Sequence, residues 1–278
     1  MKIGVISIAT GKYIKYMQDL VESCESFFLP GHDKKYFIFT DGDLEMYFGK
    51  KQGAPDVVKI HQEKLGWPFD SMLRFHMFLS IKEELLKMDY IFFMNANNQV
   101  VSTVDESVLP VSSICGIVSA IHPGFHGREK NQYTYERRPE SSLFVPFGSE
   151  NNYYQGCFNG GRSDSFLLMS EILRSKIDSD LNNNIIPVWH DESALNWYLI
   201  DKDPLVLGPN YAYPEHNTRD EIMDGIKNNQ ITIEDISEFE ITNPPEIDPH
   251  SYVTQIGDIK ITQRNKNKDG GRDYLRSK

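Results

Sequence analysis

Three groups of residues in this 278-residue chain have types and spacing suited to chemistry. The first is Asn95-Ala96-Asn97, set where the apolar run YIFFM (90 to 94) ends. A carboxamide donates through its NH₂ and accepts through its carbonyl, so such a pair suits hydroxyl or phosphate oxygens. Its dipoles carry no net charge, however, and a hard divalent cation draws most of its affinity from carboxylates. The second is WHDES (189 to 193), where Asp191 or Ser193 is placed to cap a helix. Glu192 then falls in the first turn, where the helix N-terminus favours an ionised carboxylate able to act as nucleophile or electrostatic stabiliser. The third is YYQGCFNGG (153 to 161), whose Gly156, Gly160 and Gly161 permit close approach of backbone to a ligand. Each has a plainer reading: a turn after a strand, a solvated Glu at a helix start, and glycines required by packing.

Two other patterns carry less. His122 and His126 in HPGFHG have the spacing of a zinc pair, but Pro123 and Gly124 between them oppose the helix that would put both on one face. No third ligand is evident, and zinc is rejected. TGKY (10 to 13) is a weak phosphate-loop signal by itself, equally at home as strand-to-helix packing.

The elements that must position these groups follow from periodicity. KIGVISIA (2 to 9) reads as a strand, and Ile14, Met17, Leu20 and Val21 recur at helical spacing until Pro30-Gly31 stops the run. YFIFTD (36 to 41), VVKI (57 to 60) and YIFFM are further strands, with one long amphipathic helix expected over 71 to 88. SICGIVSA (113 to 120) reads as another buried strand and 122 to 164 as irregular, site-forming structure. SFLLMSEILRSKI (165 to 177) and a segment from 191 to 200 read as helices. Alternating strand and helix predicts an α/β protein with a mostly parallel, doubly wound central sheet flanked by helices, binding its ligand beyond the carboxyl ends of the strands. Residues 1 to 245 are expected as one domain of two halves, about 1 to 100 and about 101 to 245, with 246 to 278 a mobile basic tail.

Composition narrows the partners. Twenty-nine basic against forty acidic residues give a net charge of −11, which argues against a nucleic-acid binder or an anionic-membrane binder. The cysteines Cys24, Cys115 and Cys157 are widely spaced and lack paired spacing, as expected of reduced thiols. No segment approaches the roughly 18 apolar residues of a spanning helix, and the N-terminus begins like a strand, so a cytoplasmic protein is expected.

Longer motifs carry a resemblance. HPGFHG (122 to 127), TYERRPES (134 to 141), VPFGSENNYYQGCFNGG (145 to 161) and WHDESALNWYL (189 to 199) resemble, in order, those of glycosyltransferase family 6, the retaining α-1,3-galactosyl- and N-acetylgalactosaminyltransferases that include the ABO blood-group enzymes. Weaker matches at TGKYI, LPGH (29 to 32), Trp67, Ser71, Met72, Arg74 and FFMNANNQV extend it over roughly 2 to 215.

The resemblance implies a GT-A-like fold and a UDP-sugar donor bound by the half over about 1 to 100, with acceptor binding and catalysis in the half over about 101 to 245. It implies that Ile8, Ala9, Thr10 and Tyr13 surround the uracil, and that Arg74, His190 and Asp191 lie on the donor side. Glu192 is implied as the catalytic carboxylate, a nucleophile or a front-side stabiliser. His122, Thr134 and Trp189, with Glu192, are implied on the acceptor side, and Glu136, Arg137 and Arg138 are expected as scaffold. Gln155, Gly156 and Cys157 match positions that distinguish GalNAc from Gal in the blood-group enzymes, although the residues differ from both patterns. Animal members have Asp-Val-Asp at the position of Asn95-Ala96-Asn97, so this chain is expected to work without a divalent metal or other cofactor.

The implied function is transfer of GalNAc, with Gal second, from UDP to a Fucα1,2-Gal acceptor by a bacterial cytoplasmic enzyme. Without a metal the departing UDP needs protein cations, and Arg74 and the tail residues Lys260, Arg264, Lys266, Lys268, Arg272 and Arg276 are the sources in view. The family's acidic residue after its Pro-x-Tyr turn falls at Pro214, so either Glu215 replaces it or the contact is absent. The alternative is a non-catalytic glycan- or UDP-sugar-binding module, against which retention of Glu192 speaks.

Overall fold

A computed structural model describes residues 1–49 and 54–211, together with the backbone of two short strands at 213–214 and 233–235. The strands are β1 (Lys2–Ile8), β2 (Asp33–Thr40), β3 (Asp56–His61), β4 (Tyr90–Met94), β5 (Asn98–Val100), β6 (Ile117–Ile121), β7 (Tyr154–Arg162), β8 (Leu205–Leu207), β9 (Tyr213–Pro214) and β10 (Ile233–Asp235). The helices are α1 (Met17–Phe27), α2 (Glu45–Phe48), α3 (Phe69–Met72), α4 (Arg74–Ser80), α5 (Lys82–Leu85), α6 (Ser163–Asn182) and α7 (His190–Leu199). The central sheet has seven strands in the order β3-β2-β1-β4-β7-β6-β8. All neighbours are parallel except β7, which runs antiparallel to β4 and β6. The expected mostly parallel, helix-flanked α/β architecture is therefore the one observed, consistent with a GT-A-like glycosyltransferase fold.

A sheet covered on both faces needs strands that are apolar throughout, with successive side chains entering opposite cores. Phe37, Phe39, Ile91 and Phe93 face a core built with α4, α6 and α7, whereas Tyr36, Ile38, Phe92 and Met94 face one built with α1. The chain winds outward from β1 through β2 to β3, then returns to place β4 on β1's other side. That reversal opens a crevice at the carboxyl ends of β1 and β4.

Three elements differ from expectation. The helix expected over 71 to 88 is three short pieces, α3, α4 and α5, with breaks at Leu73 (φ −90, ψ 14) and Ile81 (φ −118, ψ 26). The apolar period survives because Phe75, Phe78 and Leu85 still reach the same core. The stretch expected as irregular from 122 to 164 contains the nine-residue β7. Gly160 and Gly161 there serve packing, contrary to expectation: an added Cβ would stand 2.6 Å from Ile91 O at Gly160 and 2.4 Å from Gly116 O at Gly161. The first helix opens as a 3₁₀ turn over Gly11–Tyr16 before α1 begins. The expected tail (246 to 278) with its basic residues, and Glu215, lie outside the described residues.

Candidate active site

Because β7 runs against its neighbours, its first residues arrive at the rim where β4 ends, with Met94 paired to Phe158. Ile8, Ala9 and Thr10 leave β1 at the same rim. Ala9 is fixed to β2 by Ala9 N–H to Phe39 O at 2.8 Å and by the Thr40 hydroxyl donating to Ala9 O at 2.7 Å. Tyr13 follows on the 3₁₀ turn, about one-third exposed, with its ring 6.1 Å from that of Tyr16. The residues expected around a base thus share one edge with Asn95-Ala96-Asn97 and Gln155-Gly156-Cys157.

The start of α7 is sewn to this edge. Asn196 Oδ1 accepts from Tyr154 N–H at 2.8 Å, and its Nδ2 donates to Tyr154 O at 2.7 Å and to Glu192 O at 2.9 Å. Two residues on, the Gly156 peptide is held from both ends: its N–H donates to Glu192 Oε2 at 2.9 Å and its carbonyl accepts from Arg74 Nη1 at 2.7 Å. Arg74 Nη1 also lies 2.8 Å from Asp191 Oδ2, and the guanidinium covers the Phe93 ring at 4.2 Å. A Cβ on Gly156 would come within 2.6 Å of Asp191 Oδ2, so the glycine admits the protein's own carboxylate. Arg74, expected on the donor side, makes these contacts within the protein through Nη1.

Neither Asp191 nor Ser193 caps α7, as had been expected. Trp189 occupies the cap position without a side-chain bond, and the Ser193 hydroxyl reaches back from inside the helix to accept from Trp189 N–H at 3.0 Å. Glu192 does lie in the first turn, but burial outweighs the helix field and pushes its carboxyl up to about 7, opposed by the Gly156 N–H, the Tyr153 hydroxyl and Arg74. Burial also pushes Asp191 up, against the pull of Arg74. His190 has φ +53, an unusual left-handed backbone for a residue with a Cβ. Burial and Arg74 together push its imidazole down to about 3, so it is neutral at physiological pH, with the Trp67 ring edge-on at 4.8 Å.

At the end of β4, Asn95 N–H donates to Cys157 O at 3.0 Å and Asn98 N–H closes a turn onto Asn95 O at 3.0 Å. Asn98 Nδ2 bonds the same Cys157 carbonyl at 3.1 Å, and Ala96 and Asn97 are buried. The donor set at this turn is neutral, and no group of three His, Cys, Asp or Glu suited to a metal occurs among the described residues. Two amides without a carboxylate do not fit a firmly held divalent cation. On β7, the Cys157 thiol donates to Gln155 Oε1 at 2.8 Å, while the Gln155 Nε2, buried, has no hydrogen-bond partner among the described residues.

Of the acceptor-side residues expected from sequence, Thr134, Glu192 and His122 meet at Tyr153. Its hydroxyl accepts from Thr134 Oγ1 at 3.0 Å and also bonds the Glu192 carboxyl. His122 packs its ring 5.9 Å from that of Tyr153, accepts from Gly124 N–H at 3.0 Å on Nδ1, and is pushed down to about 4 by burial. Trp189 is half-buried, and its indole N–H has no hydrogen-bond partner among the described residues. Glu136 is scaffold as expected: it accepts from Arg138 N–H at 3.0 Å and Arg138 Nε at 2.8 Å, and from Val188 N–H at 3.0 Å. Arg137 likewise bonds Val145 O at 2.8 Å and Glu150 at 2.6 Å. Tyr153, Asn196, Asp70 and Trp67 were not singled out as functional. Only Asn196 had a readable signal, an amide one helical turn after Glu192 on the same face.

The chain is similar to known proteins along most of its length. The profile described as glycosyltransferase family 6 matches residues 1–236. The chain is 38% identical over 215 residues to the O-antigen biosynthesis glycosyltransferase WbnI of Escherichia coli, covering 77% of this chain and 89% of that protein. It is 30% identical to histo-blood group ABO system transferase 2 of Rattus norvegicus, covering 77% of this chain and 64% of the relative. To globoside alpha-1,3-N-acetylgalactosaminyltransferase 1 of Gallus gallus it is 29% identical, covering 79% and 64%. The chain therefore spans less than two thirds of these animal relatives. No helix among the described residues is long and apolar enough to cross a membrane.

Proposed function

The chain belongs to glycosyltransferase family 6, and from that premise we propose that it is a retaining, metal-independent α-1,3-glycosyltransferase that moves GalNAc from UDP to the galactose of a Fucα1,2-Gal acceptor, with Gal as its second-choice donor sugar. The observation that carries the reading is the Gly156 peptide held between Glu192 and Arg74. It joins a carboxylate suited to a developing oxocarbenium ion to the strand segment that would meet the donor sugar.

Glu192 serves either as nucleophile or as the stabiliser of a front-side displacement, and in both routes its charge is needed as UDP departs. The Tyr153 hydroxyl and Gly156 N–H keep its oxygens in place. Preference for GalNAc is supported by Gln155: with Oε1 taken by Cys157, its buried NH₂ lacks an acceptor, which an acetamide carbonyl would supply. Metal independence is supported by the neutral Asn95 and Asn97 donor set. Three separated cysteines without a disulfide support a cytoplasmic location.

The test is UDP release with product mass, using UDP-GalNAc or UDP-Gal plus 2′-fucosyllactose, in parallel with EDTA and with Mn²⁺. We expect GalNAc transfer undiminished by EDTA. Transfer only with Mn²⁺ would sink the metal-free reading, faster use of UDP-Gal would sink the donor assignment, and sugar binding without transfer would favour a binding module.

A further inference from the structure

Residues 62–68 join β3 to α3 across the carboxyl end of β1. The Asp70 carboxylate pins this loop, accepting from Leu65 and Gly66 N–H at 2.8 and 2.9 Å and from the Thr10 hydroxyl at 3.5 Å. Held in this way, Lys64 runs along Gly11: a Cβ built on Gly11 would stand 3.3 Å from Lys64 Cδ and 3.8 Å from its Nζ. Gly11 itself has φ +58, a backbone that favours glycine, and its N–H donates to Asp41 Oδ1 at 2.8 Å. The lysine stem therefore crosses the chain immediately beyond Thr10, at the carboxyl ends of β1 and β2.

Other cations of this rim are committed. Arg74 is bound to Asp191 and Gly156, the Lys15 ammonium lies 4.8 Å from the Tyr16 ring centroid, and Lys12 has contacts of its own. The Lys64 ammonium makes no hydrogen bond or ion pair among the described residues. Asp41 and Asp70 place two carboxylates on the same edge, and Asn95 and Asn97 bring dipoles without charge. An anionic ligand entering there meets the repulsion of these two carboxylates, which a nearby cation offsets.

We propose that Lys64 binds the diphosphate of the nucleotide donor, supplying at this rim the positive charge that the amides of the β4 turn lack. The assignment rests on the metal-free reading above. A compact ammonium on a stem steadied against a glycine suits phosphate oxygens, and the nucleoside is left to Ile8, Ala9 and Tyr13.

Calorimetric titration of UDP and of uridine into the wild type, Lys64→Met and Lys64→Arg, all in EDTA and at two salt concentrations, separates charge from shape. Lys64→Met should weaken UDP about tenfold with a shallower salt dependence, leave uridine within about twofold, and be largely rescued in Lys64→Arg. UDP affinity unchanged in Lys64→Met, or equal losses for UDP and uridine, would overturn the assignment. If the wild type binds UDP only with Mn²⁺, the metal-free reading fails first; the same variants titrated in Mn²⁺ then decide Lys64 by the same criteria. A wild type that binds UDP under neither condition overturns both.

Discussion

At the residue scale the site turns on one carboxyl whose surroundings disagree. Burial pushes Glu192 up to about 7 while the Gly156 N–H and Tyr153 hydroxyl favour its charge. If its ionised form is the active one, kcat/KM should rise as pH increases through about 7 and level off above, which a pH-rate profile checks. The stability consequence has the opposite sign. A carboxyl raised on folding contributes stability that is present at low pH and lost as pH rises through its folded value. Glu192→Gln should therefore gain in relative melting temperature over the wild type between pH 5 and pH 8. The same variant should lose transfer by at least about 100-fold while UDP affinity stays within about threefold. At Gln155 the expectation concerns choice: Gln155→Leu removes the buried unpaired NH₂ and should lower the UDP-GalNAc to UDP-Gal ratio of kcat/KM by about tenfold. Of these features, Glu192 was legible as a carboxylate at a helix start, and Gln155 only through the resemblance to the family. The peptide grip on Gly156 was not, because it depends on a main-chain contact between segments 36 residues apart.

At the scale of elements, β7 is the strand that sequence hides and the site requires. Its glycines and its lack of a β-branched run give it little intrinsic strand preference, and its register is fixed by neighbours that come within contact distance of Gly160 and Gly161. Gly160→Ala would drive a methyl against Ile91 O and to 2.5 Å from Phe92 Cδ1. We expect it to cost about 3 kcal/mol, measured as a lowered denaturant midpoint. By contrast β1, β2 and β4 were readable because strands buried on both faces are apolar from end to end. The break of 71 to 88 into three helices was not readable, since the apolar period continues across Leu73 and Ile81 and only the backbone angles change. The first break has a use: it puts Arg74 at the beginning of α4, where its guanidinium reaches Asp191.

At the scale of the whole molecule, donor residues from β1, the β4 turn and β7 lie on one rim, so a bound nucleotide would tie the early strands to the late ones. UDP at about one hundred times its dissociation constant should add about 2.7 kcal/mol, a rise of about 5 °C in melting temperature, equal in EDTA and in Mn²⁺ by differential scanning fluorimetry. The strand order has a temporal side. The strands β3, β2, β1 and β4 can pair once the chain has been made as far as Met94, but β7 must then be laid antiparallel beside β4, and α7 bound to β7 through Asn196. Until a ribosome has released the chain through Leu199, the nascent protein holds a nucleotide-facing edge without its carboxylate. Catalytic competence therefore arrives late in synthesis, after the early strands of the proposed nucleotide edge have had time to form.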